Sequence, residues 1–217
     1  MLYTYYMDKV TTLLFDIDGT VLNTDEFIVQ ATEHALKTVG YSVPDRSVIN
    51  KTIGIPFPEY YVILSGSNDQ VDALIEAHRN FQYANYHLVK LFPNSLATLR
   101  TLKEQGYKMA AVTSRSNKTS IQTLVDAGIF DLFDKIISFE DVNARKPDPA
   151  PLLKALEHFQ ELPENAVMIG DSDLDVQAGK NAGTKTIRAV YGFHSENLHN
   201  PEPDFIIKDI GELLEML

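Results

Sequence analysis

The stretch TTLLFDIDGT at residues 11–20 decides the fold. It starts with a short apolar run, residues 13–15, and stops at two carboxylates, Asp16 and Asp18, which Gly19 follows. A short apolar run bounded by turn-forming residues is typical of a buried strand that ends in a loop. The stretch therefore predicts a buried first strand with acidic side chains at its carboxyl end.

Apolar runs of the same kind recur along the rest of the chain. They cover 108–112, 135–137, 166–169, 186–190 and, more weakly, 204–207. Stretches with the helical spacing of apolar residues separate them, at 95–105, 116–126, 149–159 and 174–181. Strands that alternate with helices of this length predict an α/β fold, a Rossmann-like parallel sheet covered by helices on both faces.

The segment 23–91 breaks this alternation. Its apolar residues recur at helical spacing, and strand-like alternation is absent from its sequence. A helical insertion between the first and second strands predicts a cap domain at 23–91 on a core formed by residues 1–22 and 92–217. Residues 1–6 precede a second methionine and are interpreted as an extension of the fold.

Composition excludes several classes of function. The chain has 217 residues, a formal net charge of −11 and no cysteine, so thiol nucleophiles and thiolate metal sites are impossible. The negative charge disfavours binding to nucleic acid or anionic membranes, and every apolar run is shorter than the roughly 20 residues that span a bilayer. We therefore expect a cytoplasmic protein, monomeric or homodimeric, that binds a small molecule and neither nucleic acid nor membrane.

Polar residues follow four of the predicted strands at their carboxyl ends, where α/β sheets bind ligands. They are Asp16, Asp18, Gly19 and Thr20 after the first strand, Thr113, Ser114 and Arg115 after the second, Lys146 near the third, and Gly170, Asp171, Ser172, Asp173 and Asp175 after the fourth. Crowded carboxylates repel one another and raise each other's pKa unless a cation lies between them. An all-oxygen group of this kind favours a hard divalent ion, with Mg²⁺ as the best candidate.

The spacing of the acids refines this prediction. Asp16 and Asp18 are two residues apart in an extended segment, so both side chains can point the same way, about 7 Å apart. One can then act on phosphorus while the other reaches the oxygen opposite it. Asp171 and Asp175 are four residues apart and are expected to share the first turn of one helix face.

These motifs, in order and spacing, carry a family resemblance. DIDGT at 16–20, Thr113 after a strand, Lys146 in KPDP and GDSDLD at 170–175 resemble the four signature motifs of the haloacid dehalogenase-like hydrolase superfamily. The resemblance covers nearly the whole core, and the helical insert looks like the superfamily's C1-type cap. It implies an HAD-like core with an inserted cap domain.

Within that superfamily, two stretches are most similar to one branch. DVNARKPDPAPLLKAL at 141–156 and GDSDLDVQAGKNAGTKT at 170–186 resemble the phosphoglycolate phosphatase, pyrophosphatase and β-phosphoglucomutase branch. The resemblance implies that Asp16 is the nucleophile that forms an aspartyl phosphate and that Asp18 is the general acid and base. Thr113 and Lys146 would then bind the oxygens of the transferring phosphoryl group.

The resemblance also implies a ligand set for Mg²⁺. Asp16 and Asp171 would ligate the ion through their side chains, and Asp18 through its backbone carbonyl. Asp175 would hold the metal-bound waters or Lys146. Asp173 is interpreted as a bystander between two useful carboxylates.

Other residues are expected near the substrate. Gly19 permits a tight turn where a phosphate approaches, and Ser114 and Arg115 stand where the superfamily often has Asn and Lys. In the insert, Gly54 and Arg79 are candidates for substrate contacts. The aromatic and amphipathic residues around Arg79 are interpreted mainly as packing within the cap, and Arg188 and His194 as surface residues.

The leading hypothesis is a Mg²⁺-dependent phosphatase of a small phosphorylated metabolite, similar to phosphoglycolate phosphatase. The alternatives are an inorganic pyrophosphatase and a phosphomutase of the β-phosphoglucomutase type, in which Val commonly replaces Thr20. A phospho-acceptor switch like a receiver domain is the non-enzymatic alternative. Receiver domains, however, have neither the helical insert nor a second carboxylate at the position of Asp18.

Overall fold

The computed structural model describes residues 7, 9–193 and 201–217. The predicted extension at 1–6 and the predicted surface residue His194 lie outside the described residues. The chain divides into two compact units: an α/β unit that runs up to Asn23 and resumes at Lys90, and a helical unit at Thr24–Val89.

The described residues form eight strands. They are β1 (Thr12–Phe15), β2 (Leu22–Asn23), β3 (Lys90–Leu91), β4 (Lys108–Val112), β5 (Lys135–Ile137), β6 (Ala166–Gly170), β7 (Lys185–Ala189) and β8 (Phe205–Ile207). The order β5-β4-β1-β6-β7-β8 makes one six-stranded parallel sheet. The predicted α/β fold is therefore confirmed.

Nine α-helices accompany these strands in the described chain. They are α1 (Asp25–Val39), α2 (Arg46–Thr52), α3 (Glu59–Ser65), α4 (Val71–Ala84), α5 (Ser95–Glu104), α6 (Asn117–Asp126), α7 (Ala150–Phe159), α8 (Asp173–Ala182) and α9 (Leu213–Met216). The first four make up the helical unit, and the rest belong to the α/β unit. Among the residues described, no helix is both long and apolar enough to cross a membrane.

Strand β1 lies in the interior of the sheet, between β4 and β6, and every one of its side chains is buried. Its last residue, Phe15, stands in register with Ala111 of β4 and with Ile169 of β6. The carboxyl ends of these three neighbouring strands therefore lie at the same edge of the sheet. This register brings the loops that follow β1, β4 and β6 together.

A short antiparallel pair closes the α/β unit beside the helical insertion. Leu22 of β2 pairs with Leu91, and Asn23 pairs with Lys90 of β3. Because these residues pair with one another, residues 23, 90 and 91 belong to the α/β unit, whereas the sequence pattern assigned them to the insertion at 23–91. Sequence patterns missed both strands because each has only two residues.

The helical unit packs around α1 and α4 and contains a cluster of polar aromatic residues. The Tyr60 hydroxyl lies 2.6 Å from Thr32 Oγ1, and the Tyr61 hydroxyl lies 2.7 Å from His78 Nδ1. Phe57 contacts the rings of both tyrosines and of His78. These buried polar atoms are thus bonded within an apolar interior.

Candidate active site

A buried lysine links two carboxylates at the carboxyl edge of the sheet. Lys146 Nζ donates to Asp16 Oδ1 at 2.6 Å, to Asp175 Oδ1 at 2.6 Å and to the backbone carbonyl of Val112 at 3.0 Å. These bonds use all three ammonium protons. Asp16 itself is held in line with β1, since its amide donates to the carbonyl of Ile169 on β6 at 2.9 Å.

The electrostatics of this group follow from its burial. Desolvation raises the pKa of Asp16 to about 7; Lys146 opposes the shift, whereas the carboxylates of Asp175 and Asp18 add to it. Burial by itself lowers the pKa of Lys146, but its attraction to Asp16 and Asp175 outweighs burial, so that pKa lies above its ordinary value. The Lys146 side chain therefore stays protonated, and it pairs with both Asp16 and Asp175.

The same edge holds a group of carboxylates that fits a divalent metal. One oxygen each from Asp16, Asp171 and Asp175 lie within 4.8 Å of one another. In an octahedral Mg²⁺ site with metal–oxygen distances of about 2.1 Å, ligand oxygens lie roughly 3 to 4 Å apart. The donor atoms are all oxygen, which is the chemistry that Mg²⁺ prefers, and a cation would offset both the desolvation and the carboxylate repulsion that raise the pKa of Asp16.

Asp171 and Asp175 reach this group from different local structures. Asp171 lies in the loop after β6, before α8 begins at Asp173, so the expectation that both acids share a helix face is wrong. Ser172 caps the helix: its hydroxyl donates to Asp175 Oδ2 at 2.5 Å and accepts from the Asp175 amide at 3.3 Å. This capping box leaves Asp175 Oδ1 pointing to Lys146.

Gly19 keeps the loop after β1 close to Asp171. Its backbone has φ of +81°, and a Cβ at this position would lie 2.3 Å from Asp171 Oδ2. Only glycine fits such a contact with this backbone conformation. Gly19 therefore has a steric role beside Asp171, in addition to the expected approach of a phosphate.

The side chain of Asp18 points to another partner. Arg115 donates to both of its oxygens, from Nε to Oδ2 at 2.6 Å and from Nη2 to Oδ1 at 2.7 Å. The Asp18 carboxylate is not among the three acids of the metal group found in the described chain. Its predicted metal contact through the backbone carbonyl stays a prediction.

The remaining predicted residues of the second motif differ in burial. Thr113 is buried at the end of β4; its amide donates to Ile137 at 2.9 Å, and its hydroxyl accepts from the Arg115 amide at 3.1 Å. Ser114 is exposed. The loop thus fixes the backbone around Thr113 and directs Arg115 towards Asp18.

The loop after β7 is a part of the site that the sequence patterns missed. The Phe193 amide donates to Asp171 Oδ2 at 2.8 Å, and the Tyr191 hydroxyl donates to the carbonyl of Thr20 at 2.9 Å. A Cβ on Gly192 would lie 2.2 Å from the Gly19 carbonyl oxygen. The sequence pattern could have predicted these residues, because they follow a predicted strand at its carboxyl end, as the residues of the other motifs do.

Arg188 was misjudged, and its partner is Asp173. Arg188, on β7, is only 1% exposed and is not a surface residue. Its Nη1 donates to Asp173 Oδ1. Asp173 is thus an ion-pair partner that ties the first turn of α8 to β7, and it is not among the three acids grouped in the described chain; its interpretation as a bystander of the chemistry stays a prediction.

The two candidates of the insert lie in the helical unit. Gly54 is exposed, with φ of +98°, in the turn after α2. Arg79 is exposed on α4 and lines a pocket of about 560 Å³. The other lining residues are Phe57, Pro58, Asp72, Ile75, Glu76, Asn80 and Tyr83. Contacts of Gly54 and Arg79 with a substrate stay predictions.

With this geometry in place, comparisons with known proteins identify the class. The family model of the haloacid dehalogenase-like hydrolases matches residues 13–189, which include all four motifs and the helical insert. The chain belongs to the haloacid dehalogenase-like hydrolase family, as the motifs predicted.

Individual relatives place the chain within that family. It is 34% identical over 211 residues to a protein named pyrophosphatase PpaX from Anoxybacillus flavithermus, and 31% identical over 211 residues to the PpaX of Halalkalibacterium halodurans. Both alignments cover 96% of this chain and 97% of the relative. A crystal structure of a protein described as a predicted phosphoglycolate phosphatase from Haemophilus somnus superposes with a TM-score of 0.90 at 25% identity, over 96% of this chain and 98% of that one.

Proposed function

We propose that this protein is a Mg²⁺-dependent phosphatase that hydrolyses a small phosphorylated metabolite through an aspartyl phosphate on Asp16. The observation that carries the proposal is the buried group in which Lys146 bridges Asp16 and Asp175 beside Asp171. Strongly perturbed ionisable groups that converge at one edge of an α/β sheet are typical of a catalytic site.

The proposed reaction has two steps on the chain's own residues. A carboxylate oxygen of Asp16 attacks phosphorus, and the bond from phosphorus to the leaving oxygen breaks as Asp18 gives that oxygen a proton. A water molecule then attacks the aspartyl phosphate, Asp18 takes its proton, and inorganic phosphate leaves with Asp16 regenerated. Thr113 and Lys146 bind the phosphoryl oxygens, where charge stabilisation lowers the barrier.

Asp16, Asp171 and Asp175 would hold the Mg²⁺ ion, with the Asp18 carbonyl as a further ligand. When bound, the ion supplies positive charge that offsets the charge of the phosphoryl group and of the acids around it. The chain orients two of those acids by hydrogen bonds: the Ser172 hydroxyl donates to Asp175, and the Phe193 amide donates to Asp171.

For the substrate, we propose phosphoglycolate or inorganic pyrophosphate. Curated relatives named pyrophosphatase share 31% and 34% identity over nearly the full length, and a structural neighbour at 25% identity is described as a phosphoglycolate phosphatase. We also propose that the segment 23–91 acts as a cap over the site and that Gly54 and Arg79 contribute to substrate choice. Membership in a hydrolase family gives no support to the phospho-acceptor switch.

The test is phosphate release by the wild-type protein and by Asp16→Asn. We expect release from pyrophosphate or phosphoglycolate in the presence of Mg²⁺ and little release after chelation. Asp16→Asn should abolish release because an amide cannot form the aspartyl phosphate. Asp131→Asn, which removes an exposed carboxylate away from the motifs, is the control and should retain activity. Activity above a few per cent in Asp16→Asn would overturn the covalent step.

Assays of sugar phosphates separate the phosphomutase alternative. A mutase isomerises a sugar phosphate without net release of phosphate, whereas a phosphatase releases phosphate in proportion to the substrate consumed. Isomerised sugar phosphate as the main product would replace the proposed function by that alternative.

A further inference from the structure

The ion pair between Arg115 and Asp18 uses the whole recognition edge of both groups. The guanidinium donates through Nε and Nη2 to the two oxygens of the carboxylate, at 2.6 and 2.7 Å. Its remaining Nη1 donates to Thr123 Oγ1 at 3.2 Å. The side chains are 10% exposed for Arg115 and 21% exposed for Asp18, so water screens the pair only partly.

This arrangement directs Asp18 away from the step proposed for it. A carboxyl group that exchanges a proton with a leaving oxygen must bring one of its own oxygens within hydrogen-bond distance of that atom. In the structure, both oxygens of Asp18 face Arg115 in a bidentate fork. Asp18 therefore has to leave the fork, at least in part, before it contacts a substrate.

When Asp18 leaves, the Nε and Nη2 donors of Arg115 can bind another anion. Arginine presents two parallel N–H groups that match either a carboxylate or a phosphate, and the match is the same for an anion on a ligand. The anchor through Thr123 keeps the guanidinium in place while its partner changes. An anion that replaces Asp18 restores both charge-assisted bonds, whereas a neutral group leaves a half-buried cation without them.

We propose that Arg115 is the specificity-determining residue of this site and that it selects substrates whose leaving group carries a second anionic group, a carboxylate or a phosphate. The second anion takes the Arg115 fork and thereby releases Asp18 to act on the leaving oxygen. A phosphate ester with a neutral leaving group must break the pair without replacement and reacts slowly. The inference rests on the proposed function and narrows its substrate to this class.

Two matched pairs of compounds test the selection. Phosphoglycolate is compared with 2-hydroxyethyl phosphate, which replaces the carboxylate by a neutral alcohol, and pyrophosphate is compared with acetyl phosphate, another phosphoric anhydride, whose leaving group carries no second anionic group. In the wild-type protein, kcat/KM should be roughly 30-fold or more higher for the anionic member of at least one pair, the factor expected when a buried charge pair loses a partner.

The variant Arg115→Gln should change the two members of a pair in opposite directions. For the anionic compound kcat/KM should fall by roughly 30-fold or more, mainly through KM, because the second anion loses its partner. For the neutral compound kcat/KM should rise, because Asp18 no longer has to leave the fork. Arg115→Lys keeps the charge but not the fork and should give intermediate selectivity.

Controls separate this result from damage to the fold. Arg100→Gln removes an exposed arginine on α5 and should keep the wild-type selectivity. Circular dichroism and thermal unfolding establish that each variant is folded. If Arg115→Gln does not fold, the selectivity of Arg115→Lys decides the question.

The outcomes distinguish the inference from the function on which it rests. Equal losses for both members of a pair would overturn the inference and leave Arg115 as a residue that only positions Asp18. A wild-type protein without preference for the anionic compounds would also overturn it. If the wild-type protein releases phosphate from none of the four compounds with Mg²⁺, the proposed function fails first.

Discussion

Two buried polar clusters, one in each unit, differ in how burial affects the ionisation of their side chains. The strand-end cluster of the α/β unit consists of Asp16, Lys146 and Asp175, which are joined by two ion pairs of 2.6 Å. The aromatic cluster of the helical unit consists of Phe57, Tyr60, Tyr61, His78 and Thr32, which are joined by two hydrogen bonds and several ring contacts. Both clusters hold buried polar groups, yet their electrostatics differ.

The difference lies in which protonation state burial favours. Burial raises the pKa of Tyr60 to about 12 and raises that of Tyr61 further, which only strengthens the neutral form that is already present. Burial raises the pKa of Asp16 to about 7, so its charged form is held against a penalty. A neutral, satisfied cluster rigidifies a fold, whereas a charged one is weak evidence for stability and stronger evidence for chemistry.

The largest effect should come from removing the central cation of the strand-end cluster. Lys146→Met leaves two buried carboxylates without their shared partner, and we expect a loss of about 3–5 kcal/mol in the free energy of unfolding at pH 7 without metal. Urea denaturation measures it. The control Lys108→Met breaks a half-exposed pair with Glu161 and should cost about 1 kcal/mol or less. Equal losses in the two variants would remove the distinction between the buried and the exposed pair.

Gly192→Ala should displace Asp171 from the group of three carboxylates by steric overlap alone. The new Cβ would lie 2.2 Å from the Gly19 carbonyl oxygen and 2.4 Å from Asp171 Cβ, so the loop must shift and the Phe193 amide must leave Asp171. We expect Mg²⁺ affinity, measured by titration calorimetry, to fall by roughly 10- to 100-fold.

The control for that variant is Gly128→Ala in the same unit. Its Cβ would meet no atom within 4 Å, but the φ of +70° strains any residue with a side chain. It should therefore lower stability without lowering Mg²⁺ affinity. A Gly192→Ala protein with wild-type Mg²⁺ affinity would contradict the proposed role of the Phe193 amide.

In the aromatic cluster, Tyr61→Phe should lower stability and spare the chemistry. The variant removes the hydroxyl that lies 2.7 Å from His78 Nδ1, and we expect a loss of about 1–3 kcal/mol in the free energy of unfolding. Thermal or urea unfolding measures it, with Mg²⁺ affinity expected to be unchanged. Tyr41→Phe, which removes an exposed hydroxyl bonded to the Asp69 carbonyl, is the control and should cost less.

The pH dependence of metal binding sharpens the same contrast. Because the metal-free pKa of Asp16 is raised from 3.8 to about 7, Mg²⁺ must displace a proton below pH 7. Apparent Mg²⁺ affinity should rise roughly 10-fold per pH unit up to about pH 7 and then level off. Without metal, the same shift makes Asp16 disfavour the folded state increasingly from about pH 4 to pH 7. An affinity that does not change between pH 5.5 and 7 would contradict the raised pKa.

The smallest effect is expected for Thr20→Val. The Thr20 hydroxyl is buried, and it has no hydrogen-bond partner among the described residues. Removing an unsatisfied polar group of this size should change stability by less than about 1 kcal/mol, with stabilisation favoured. A loss above 2 kcal/mol in urea denaturation would show that the hydroxyl has a partner. Product analysis of this variant also tests whether this position affects the choice between phosphatase and mutase chemistry.

Much of the fold follows from local sequence because its elements are regular. The apolar runs at 108–112 and 135–137 coincide with β4 and β5, and the helices predicted at 116–126 and 174–181 end close to two glycines with positive φ, Gly128 and Gly183. The two-residue strands β2 and β3 were not predicted, since a pair so short has no periodicity. The alternation breaks after 22, and the compact helical unit of the structure covers Thr24–Val89; the assignment of 23–91 as a cap domain stays a prediction.

The candidate site was predictable as a set of residues but not as a set of contacts. Chain order places Asp16, Lys146 and Asp175 after strands, and parallel register brings strand ends together. The spacing of Asp171 and Asp175 was misread as one helix face, because a capping serine between them starts the helix only at Asp173. Arg188 was misjudged because a charged side chain is rarely buried unless it is paired, and its ion pair with Asp173 is a contact that the sequence alone does not show.

The sequence by itself determined the class of the protein: a parallel α/β sheet, the hydrolase family, and the acids and lysine for which we propose the chemistry. Only the tertiary structure decided how these charges are shared. In the structure, Lys146 pairs with Asp16 and Asp175, and Arg115 pairs with Asp18. The Phe193 amide donates to Asp171. The physical reason is that periodicity and motif order report local structure, whereas ion pairing depends on distances between residues up to 130 positions apart in the chain.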